Sequence, residues 1–408
     1  MKKIFLLIAI VFVFVTSCTN DDNYEYYDLA TPVMLSFDDL RKSVDILPPI
    51  RIEESGKIYY YNKYIFVNDM YKGIHIINNT NPEKPIKISF LKIHGNVDIS
   101  VKNNFLYADS FMDLLVFDIS DINNIKLVNR LKDVFPYYYS IPQNADVDWR
   151  SLNMQNSVVI DWVITRERRE INSDPLYYSN IKDIAFAESG NTTGQGGSMA
   201  RFKIVNSYLY AVDSHSIHIF DINNLNAPTK LESVHAGFDI ETIFSQNQYL
   251  FLGSMSGMFI YDITKPSAPQ FVSEFRHGTA CDPVVVDDKY AYITLRAGNF
   301  CGAFESSLQI VDISDIKKPV LKKSYAMKGP YGLGIKDEKL FICDGNSGLK
   351  VYDKTDVNNI VLLNHFNDIN TFDVIPLESH LLMIGKGVLY QYSYENNAIK
   401  LLSTFNLN

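Results

Sequence analysis

The sequence predicts an all-β fold, a single β-propeller of seven four-stranded blades. One phrase, clearest as GMFIYDIT at residues 257–264, occurs seven times with a small or polar first residue, a mostly apolar run and a polar end. The last residues of these apolar runs lie at positions 78, 118, 221, 262, 312, 353 and 392. A pitch of about 41 residues with two enlarged gaps is typical of a propeller, in which each period is one blade.

Each period divides into four strand-like segments. In the clearest period these are FDIETIF, YLFLGS, GMFIYDI and PQFVSEF, and turn-forming residues separate them. The fourth segments open near proline and carry lysines, which suits an outermost strand because neither favours pairing with another sheet. No convincing helix interrupts the alternation, and this disfavours a parallel α/β fold. Two alternatives remain for the strand that closes the ring. Residues 400–405 could form it alone, or residues 30–45 could add to it.

The apolar run of the repeated phrase ends in aspartate in five periods: Asp118, Asp221, Asp262, Asp312 and Asp353. An aspartate at the start of a turn accepts a hydrogen bond from a backbone N–H two residues later. We therefore expect these side chains to shape turns, rather than to bind a ligand or to catalyse a reaction.

The two enlarged gaps predict a functional face. The longer gap places an insertion, about residues 133–200, between blades 2 and 3, and the shorter one lengthens a second-to-third-strand loop at residues 295–307. Because blade strands alternate in direction, that loop and the blade-to-blade connections leave the propeller on the same side. Long loops on a rigid scaffold often carry binding residues. The glycine-rich end of the insertion, GNTTGQGG at residues 190–197, is expected to form a flexible rim.

The N-terminus predicts export. Residues 1–17 hold two lysines and the apolar run IFLLIAIVFVFV, which is too short to span a bilayer and is typical of a signal peptide. The following VTSC, at residues 15–18, resembles the lipobox of bacterial lipoproteins. This resemblance implies cleavage before Cys18 and attachment of lipid to that cysteine, which would anchor the chain to a membrane. The alternative is a plain secretory signal followed by an incidental cysteine.

Residues 18–50 are acidic and polar, and we expect them to tether a propeller of residues 51–408 to the outer membrane, with a short packed segment near residues 34–40. Asp21 and Asp22 resemble the surface-export signals of Bacteroidetes lipoproteins. Acidic linkers are common as well, so the side of the membrane and the oligomeric state stay open. The net charge of −9 becomes −11 without Lys2 and Lys3, which disfavours a nucleic-acid partner.

Three cysteines remain after Cys18. Cys281 opens a first strand and Cys301 lies in the enlarged loop after the neighbouring second strand, so both are expected on the same face. An exported compartment permits a disulfide between them; the alternative is two buried thiols. Cys343 lies within the apolar run LFIC and is expected to be a small buried hydrophobe.

The insertion is rich in aromatic residues. Exposed aromatic rings suit sugars or a protein partner, and the alternative is that these rings pack the insertion onto the propeller. The candidates are Tyr137, Tyr138, Tyr139, Trp149 and Trp162. The segment SVVIDWVITRERREI alternates well enough to predict a long strand or hairpin arm.

Charged residues at the starts of first strands are expected around the mouth of the central channel. Carboxylates gathered there could hold a hard cation such as calcium, although solvation or pairing with arginine explains them equally well. The candidates are Asp98, Arg201, Asp239, Glu241, Asp282 and Asp373. We assign no metal site, no cofactor and no catalytic residue, because no established catalytic or metal-binding motif occurs.

The LxVxDIS pattern, with a proline six or seven residues later, resembles the LVIVD-repeat family of bacterial propeller proteins. The order of GNVDI, LYADS, GGSMARF and CDPVVVDDKYAYITLR is similar to that of its Bacteroidetes lipoprotein members. The resemblance covers roughly residues 50–405 and implies a propeller and an exported location. That family has no settled activity, so the resemblance supplies no catalytic residue.

Two functions are consistent with these observations. The first is a lipid-anchored, non-enzymatic scaffold that binds a protein or a glycan through the insertion-bearing face. The alternative is an exported glycan-active hydrolase or lyase that uses carboxylates at the channel mouth. A perturbed carboxylate pair in a deep pocket would favour the enzyme, and paired or solvated acids would favour the scaffold.

Overall fold

The computed structural model describes residues 24–170, 195–278, 283–297, 305–395 and 398–407. The described residues form two compact units, one of residues 24–39 with 139–170 and the other of residues 40–138 with the described residues from 195 onward. Nearly all of the described secondary structure is β-strand. The helix α1 (Phe37–Lys42) is capped by Ser36, whose Oγ accepts a hydrogen bond from Asp39 N at 3.1 Å.

The smaller unit contains a three-stranded sheet in the order β11-β1-β12. Its strands are β1 (Tyr24–Ser36), β11 (Asp146–Val147) and β12 (Ser157–Glu170). The strand β12 is the arm that the alternating segment of the insertion predicts. Its antiparallel partner β1 lies within the predicted tether, which is therefore ordered from Tyr24 onward. Cross-strand pairs such as Arg169–Glu25 and Arg166–Asp28 support the pairing.

The larger unit contains seven antiparallel sheets within the described residues, and each is built on one period of the repeat. The first sheet has the order β13-β3-β4-β5-β6-β2, and the third has a fourth strand divided into β17 and β18. The strands of the first sheet are β2 (Asp45–Leu47), β3 (Ser55–Tyr61), β4 (Tyr64–Asp69), β5 (Gly73–Asn78), β6 (Ile86–Lys92) and β13 (Gln195–Gly196). Those of the second are β7 (Ile99–Lys102), β8 (Phe105–Ser110), β9 (Asp113–Asp118) and β10 (Lys126–Leu131). Those of the third are β14 (Phe202–Val205), β15 (Tyr208–Val212), β16 (Ser216–Asp221), β17 (Thr229–Lys230) and β18 (Val234–His235).

The remaining four sheets each follow the simple order first, second, third and fourth strand. The strands of the fourth are β19 (Ile240–Gln246), β20 (Tyr249–Ser254), β21 (Gly257–Asp262) and β22 (Gln270–Arg276). Those of the fifth are β23 (Val284–Val286), β24 (Tyr290–Leu295), β25 (Ser307–Asp312) and β26 (Val320–Ala326). Those of the sixth are β27 (Leu333–Lys336), β28 (Lys339–Cys343), β29 (Leu349–Asp353) and β30 (Val361–Phe366). Those of the seventh are β31 (Asp373–Pro376), β32 (His380–Gly385), β33 (Val388–Glu395) and β34 (Ala398–Asn406).

Hydrophobic clusters join each sheet to the next and close the ring. Each pair of neighbouring sheets, from the first and second to the sixth and seventh, shares one hydrophobic cluster. The last cluster packs Ile58 and Val67 of the first sheet with Leu382 and Leu389 of the seventh. Because the fourth strand of the seventh sheet is the C-terminal strand β34, residues 30–45 are not needed to complete that sheet. The all-β propeller prediction is confirmed, and the long insertion lies between the second and third sheets.

The repeated aspartates shape turns, as predicted. Each accepts a hydrogen bond on Oδ1 from the backbone N–H two residues later, at distances from 2.6 to 3.0 Å. Asn78 does the same for Thr80 at 2.9 Å, which explains why the first period tolerates asparagine at this position. The donors are Ser120, Asn223, Thr264, Ser314 and Thr355.

A glycine that opens the repeated phrase is required where the third strand lies close to the fourth. Gly348 has a φ of +84°, and a Cβ at this position would overlap the carbonyl oxygen of Phe366. We expect Gly348→Ala to lower the free energy of unfolding by about 2–3 kcal/mol, because both the strained φ and the backbone contact oppose the side chain. Urea denaturation of the full chain measures this loss.

The matched control for this prediction is Gly329→Ala, since a Cβ on Gly329 would have no neighbouring atom within 4 Å. We expect this variant to stay within about 0.5 kcal/mol of the wild type. Equal stabilities of the two variants would contradict the steric argument.

Candidate binding site

A cavity of about 660 Å³ lies where the first strands of the propeller begin. It is bounded by residues that precede or open first strands and by second-to-third-strand loops, so it occupies the face that the strand alternation predicts. The lining comprises residues 51–57, Asn68, Met70, Tyr71, Val97, Met199, Arg201, Tyr331, Asn346, Asn370, Phe372, Asp373, Lys386 and Gly387.

Asp98, one of the predicted channel residues, is buried beneath this mouth and is fully bonded. Its Oδ2 accepts hydrogen bonds from the backbone N–H groups of Arg201 and Phe202, at 2.7 and 3.0 Å, and its Oδ1 accepts one from Ile99 N at 2.7 Å. Lys57 Nζ lies 3.4 Å from Oδ2 and is also buried. Asp98 therefore joins the first, second and third sheets, and its carboxylate is committed to the fold.

The last residues of the insertion are built into the centre of the propeller. The short strand β13 pairs with the inner edge of the first sheet, at Tyr60 and Tyr59. Ser198 Oγ then accepts a hydrogen bond from Leu333 N at 2.9 Å, and Ala200 O accepts one from Ile243 N at 2.5 Å. Within the predicted rim, residues 195 and 196 therefore pair with the first sheet, and the residues that follow it contact the sixth and fourth sheets.

Among the predicted site residues, Asp373 has a carboxyl group whose pKa is strongly raised by its surroundings. It is 2% exposed, its Oδ1 accepts a hydrogen bond from Val374 N at 2.9 Å, and its Oδ2 has no hydrogen-bond partner among the described residues. A Cβ on Gly197 or on Gly332 would overlap this carboxyl group, so both glycines allow close approach of the backbone. Burial is the main cause that raises the pKa of Asp373 to about 8. The group is therefore mostly protonated at neutral pH.

Two asparagines add further acceptor oxygens to the cavity wall. Asn68 donates through Nδ2 to Asn96 Oδ1 at 2.9 Å, while its own Oδ1 is buried and has no partner within the described part of the chain. Asn370 donates through Nδ2 to Asn346, and its Oδ1 is likewise buried without a described partner. A buried polar atom without a hydrogen bond is costly. Beside these two acceptor oxygens, the protonated carboxyl group of Asp373 offers an O–H donor at Oδ2, so the wall presents both kinds of hydrogen-bonding group to a polar ligand.

Asp239 and Glu241 do not line the cavity. Asp239 is exposed in a turn before β19 with a φ of 54°, and Glu241 is buried within β19. The structure thus brings together Asp98, Arg201 and Asp373 and leaves these two carboxylates at the fourth sheet. Of the predicted carboxylates, the described cavity lining therefore includes Asp373 alone, because Asp239 lies in the turn before β19 and Glu241 lies within that strand.

The predicted aromatic residues are divided between the two units. In the larger unit Tyr137 packs edge-to-face on Phe111 with ring centroids 5.4 Å apart, and Tyr138 is exposed. In the smaller unit, which also holds Tyr139, Trp162 Nε1 donates to Ser140 O at 2.9 Å, and Trp149 is exposed.

Cys18, Cys281, Asp282 and Cys301 lie outside the described residues, so the lipidation and disulfide predictions stay predictions. Cys343 is buried between the sixth and seventh sheets, as predicted, and burial raises the pKa of its thiol. Within the described ranges no three His, Cys, Asp or Glu side chains are grouped to hold a metal ion. A helix long and apolar enough to cross a membrane is also absent from those ranges.

Sequence reasoning missed Lys57, Asn68 and the rim cations Arg51 and Lys386. Lys57 follows Gly56 near the start of the first strand β3, so applying the first-strand rule to the first period would have found it. Asn68 and Lys386 are single polar residues at the ends of second strands, a position that the sequence pattern does not mark as functional.

The fold and the site define a β-propeller with a polar cavity at one mouth of its channel. The LVIVD repeat model matches residues 95–133 and 277–327, and each match spans one complete sheet, the second and the fifth. The chain is therefore a propeller that carries LVIVD repeats, as the repeated phrase implies. No curated protein matches the sequence.

Solved structures show the same fold at low sequence identity. A protein from Lactobacillus plantarum superposes with a TM-score of 0.53 at 11% identity, covering 86% of this chain and 96% of its own. The periplasmic gluconolactonase PpgL of Pseudomonas aeruginosa has a TM-score of 0.52 at 8% identity, with coverages of 89% and 96%. The computationally designed protein Ika8 gives 0.51 at 8% identity, with coverages of 88% and 89%. At such identities the likeness concerns the fold alone.

Proposed function

We propose that this chain is a non-enzymatic binding protein that takes part of a glycan into the 660 Å³ cavity. The observation that carries the proposal is the pair of amide oxygens without a described partner on Asn68 and Asn370, beside the protonated carboxyl group of Asp373. Sugar hydroxyls are donors that satisfy such oxygens. The cavity volume falls within the range of about 300–1,000 Å³ that is usual for small-ligand pockets.

The aromatic side chains of the lining support a sugar rather than a purely ionic ligand. Tyr71, Tyr331 and Phe372 contribute rings beside the polar acceptors, and an apolar ring with a polar edge is well suited to a pyranose face. Tyr331 and Phe372 are fixed relative to each other by an edge-to-face contact with ring centroids 5.2 Å apart. A preorganised wall of this kind lowers the entropic cost of binding.

The alternative function, a glycan-active hydrolase or lyase, has one observation in its favour. A carboxyl group with a pKa of about 8, such as Asp373, can serve as a general acid at neutral pH. Glycosidic hydrolysis generally needs a second carboxylate, and among the predicted candidates Asp98 is fully bonded while Asp239 and Glu241 lie at the fourth sheet. The predicted carboxylates thus supply no second acid in the cavity, which favours binding over catalysis; Glu53 and Glu54 also line it, and the product assay below tests them.

The proposal includes the localisation of the protein. The lipobox-like residues before Cys18 support an anchor in the outer membrane, with the propeller held in the exported compartment. The substitution Cys18→Ala should move the chain from the membrane fraction to the soluble exported fraction. Retention of that variant in the membrane would argue against the lipid anchor.

The binding proposal is tested by glycan-array screening of the full-length mature protein in detergent, followed by calorimetry with the best glycan. Asn370→Ala should weaken that glycan about tenfold, since it removes one acceptor of a polar network. Its matched control is Asn123→Ala, an exposed asparagine in a turn at the end of the second sheet's third strand. Absence of glycan binding would overturn the proposal, and release of shortened products would establish the enzyme instead.

A further inference from the structure

The cations of the cavity are not balanced by its acids. Arg51 and Lys386 pair with no carboxylate among the described residues, whereas the acid Glu53 pairs with Lys72 outside the lining. Lys57 is matched by Asp98, and Asp373 is mostly neutral at pH 7. Over the whole lining, the four cations Arg51, Lys57, Arg201 and Lys386 outnumber the acids Glu53 and Glu54, so the cavity has a positive balance in a chain whose net charge is −9. A positive site on an acidic protein points to an anionic ligand.

A second cavity of about 290 Å³ adjoins the first and shares Tyr331, Asn346 and Asn370 with it. Arg296 and Ala297, from the enlarged loop of the fifth sheet, line this second cavity. The enlarged loop and the channel mouth thus lie on one face, as the gaps in the repeat predict. Two adjoining cavities with a shared wall suit a ligand made of more than one unit.

The second cavity repeats the charge imbalance of the first. Arg296 lies over the ring of Tyr331 at 3.9 Å from the centroid, and Lys328 is exposed beside it. The acid of this cavity, Asp344, is buried, pairs with Lys350 and accepts hydrogen bonds from the N–H groups of Lys328 and Gly329, at 3.0 and 2.8 Å. Asp344 is therefore satisfied, while Arg296 and Lys328 pair with no carboxylate in the described ranges.

We propose that the two cavities form one groove for an acidic oligosaccharide, a chain of sugars that carry carboxylate or sulfate groups. This inference rests on the proposed glycan-binding function and specifies its ligand. The hydroxyl groups of one sugar would donate to the amide oxygens of Asn68 and Asn370 and accept from the protonated Asp373, and its acidic group would meet Arg51 and Lys386. The next acidic group would meet Arg296 and Lys328 across the shared Tyr331 wall.

The test compares defined saccharides by calorimetry on the full-length mature protein. Tetragalacturonate should bind at least about tenfold more tightly than galacturonate, because only the longer chain reaches both cavities. It should also bind at least about tenfold more tightly than maltotetraose, which has the same length but no charge. A chondroitin tetrasaccharide with and without its sulfate groups distinguishes the two charges, because the unsulfated form keeps the carboxylates alone. Affinity for the acidic tetramers should fall with increasing salt.

Paired substitutions show which part of the groove binds which part of the saccharide. Arg296→Gln combined with Lys328→Gln should weaken tetragalacturonate about tenfold and leave galacturonate unchanged, whereas Arg51→Gln combined with Lys386→Gln should weaken both. Lys322→Gln, which alters an exposed lysine on β26, is the matched control and should change neither.

The outcomes separate this inference from the proposed function. Equal binding of maltotetraose and both acidic tetramers would overturn the acidic ligand while leaving glycan binding intact. Equal binding of monomer and tetramer would overturn the two-cavity groove. Failure of every saccharide to bind would overturn the proposed function together with this inference.

Discussion

Replacing Asp98 with alanine is expected to destabilise the propeller by about 3–5 kcal/mol, the usual cost of breaking a buried ion pair from one side. The carboxylate accepts hydrogen bonds from Arg201 N, Phe202 N and Ile99 N and lies 3.4 Å from Lys57 Nζ. Its removal leaves the Lys57 ammonium buried without its counter-charge and releases the segment that enters the channel. Chemical denaturation of the full chain at neutral pH measures the loss.

Two further variants define the cause. Asp118→Ala removes an exposed turn aspartate of the same sheet and should cost no more than about 1 kcal/mol. Lys57→Met combined with Asp98→Asn removes both charges, and it should recover part of the stability because no buried charge is left unpaired. If Asp98→Ala were as mild as Asp118→Ala, the carboxylate would not hold the sheets together as described.

Replacing Asp373 with asparagine is expected to stabilise the protein increasingly as the pH rises. The pKa of Asp373 in the folded state is about 8, well above its ordinary value of 3.8, mainly because of burial, with Lys57 and Asp98 as charged neighbours. The folded state therefore keeps a proton that the unfolded state releases, and the wild type loses stability between about pH 4 and pH 8. Asparagine has no such proton to lose.

The difference between Asp373→Asn and the wild type should be small near pH 4 and on the order of a few kcal/mol by pH 8.5. Urea denaturation at a series of pH values measures it. Asp353→Asn is the control. The exposed carboxylate of Asp353 has a pKa that its hydrogen bonds to Thr355 lower. The stability that this carboxylate contributes to the wild type is therefore present above its ordinary pKa and is lost on acidification. A constant difference for Asp373→Asn across the series would contradict the raised pKa.

Much of the fold could be predicted because each repeat is a local unit. The aspartates that end the third strands accept hydrogen bonds from N–H groups only two residues away, so their role can be predicted from the neighbouring residues. The pitch of the repeats likewise locates the sheets and the insertion, and the direction of the strands places the enlarged loop and the cavity on one face. These inferences need only short-range geometry.

Other features depend on contacts between distant residues. Lys57 and Asp98 come from different sheets, and β1 meets β12 across more than a hundred residues. The glycine-rich segment predicts a flexible rim because such loops are commonly flexible, whereas in the described residues Gly197 allows the backbone to approach Asp373. No periodic pattern marks such pairings, since each occurs once.

The propeller, its repeats, its turns and the side on which a binding site is expected can all be derived from the amino-acid order, because they follow from the spacing and direction of strands. Which polar groups are bonded within the fold, and which remain for a ligand, depends on the packing of distant residues. That division depends on burial and hydrogen bonding. Asp98 is saturated by distant backbone groups, whereas Asp373, at the equivalent first-strand start, keeps a proton and an oxygen without a described partner.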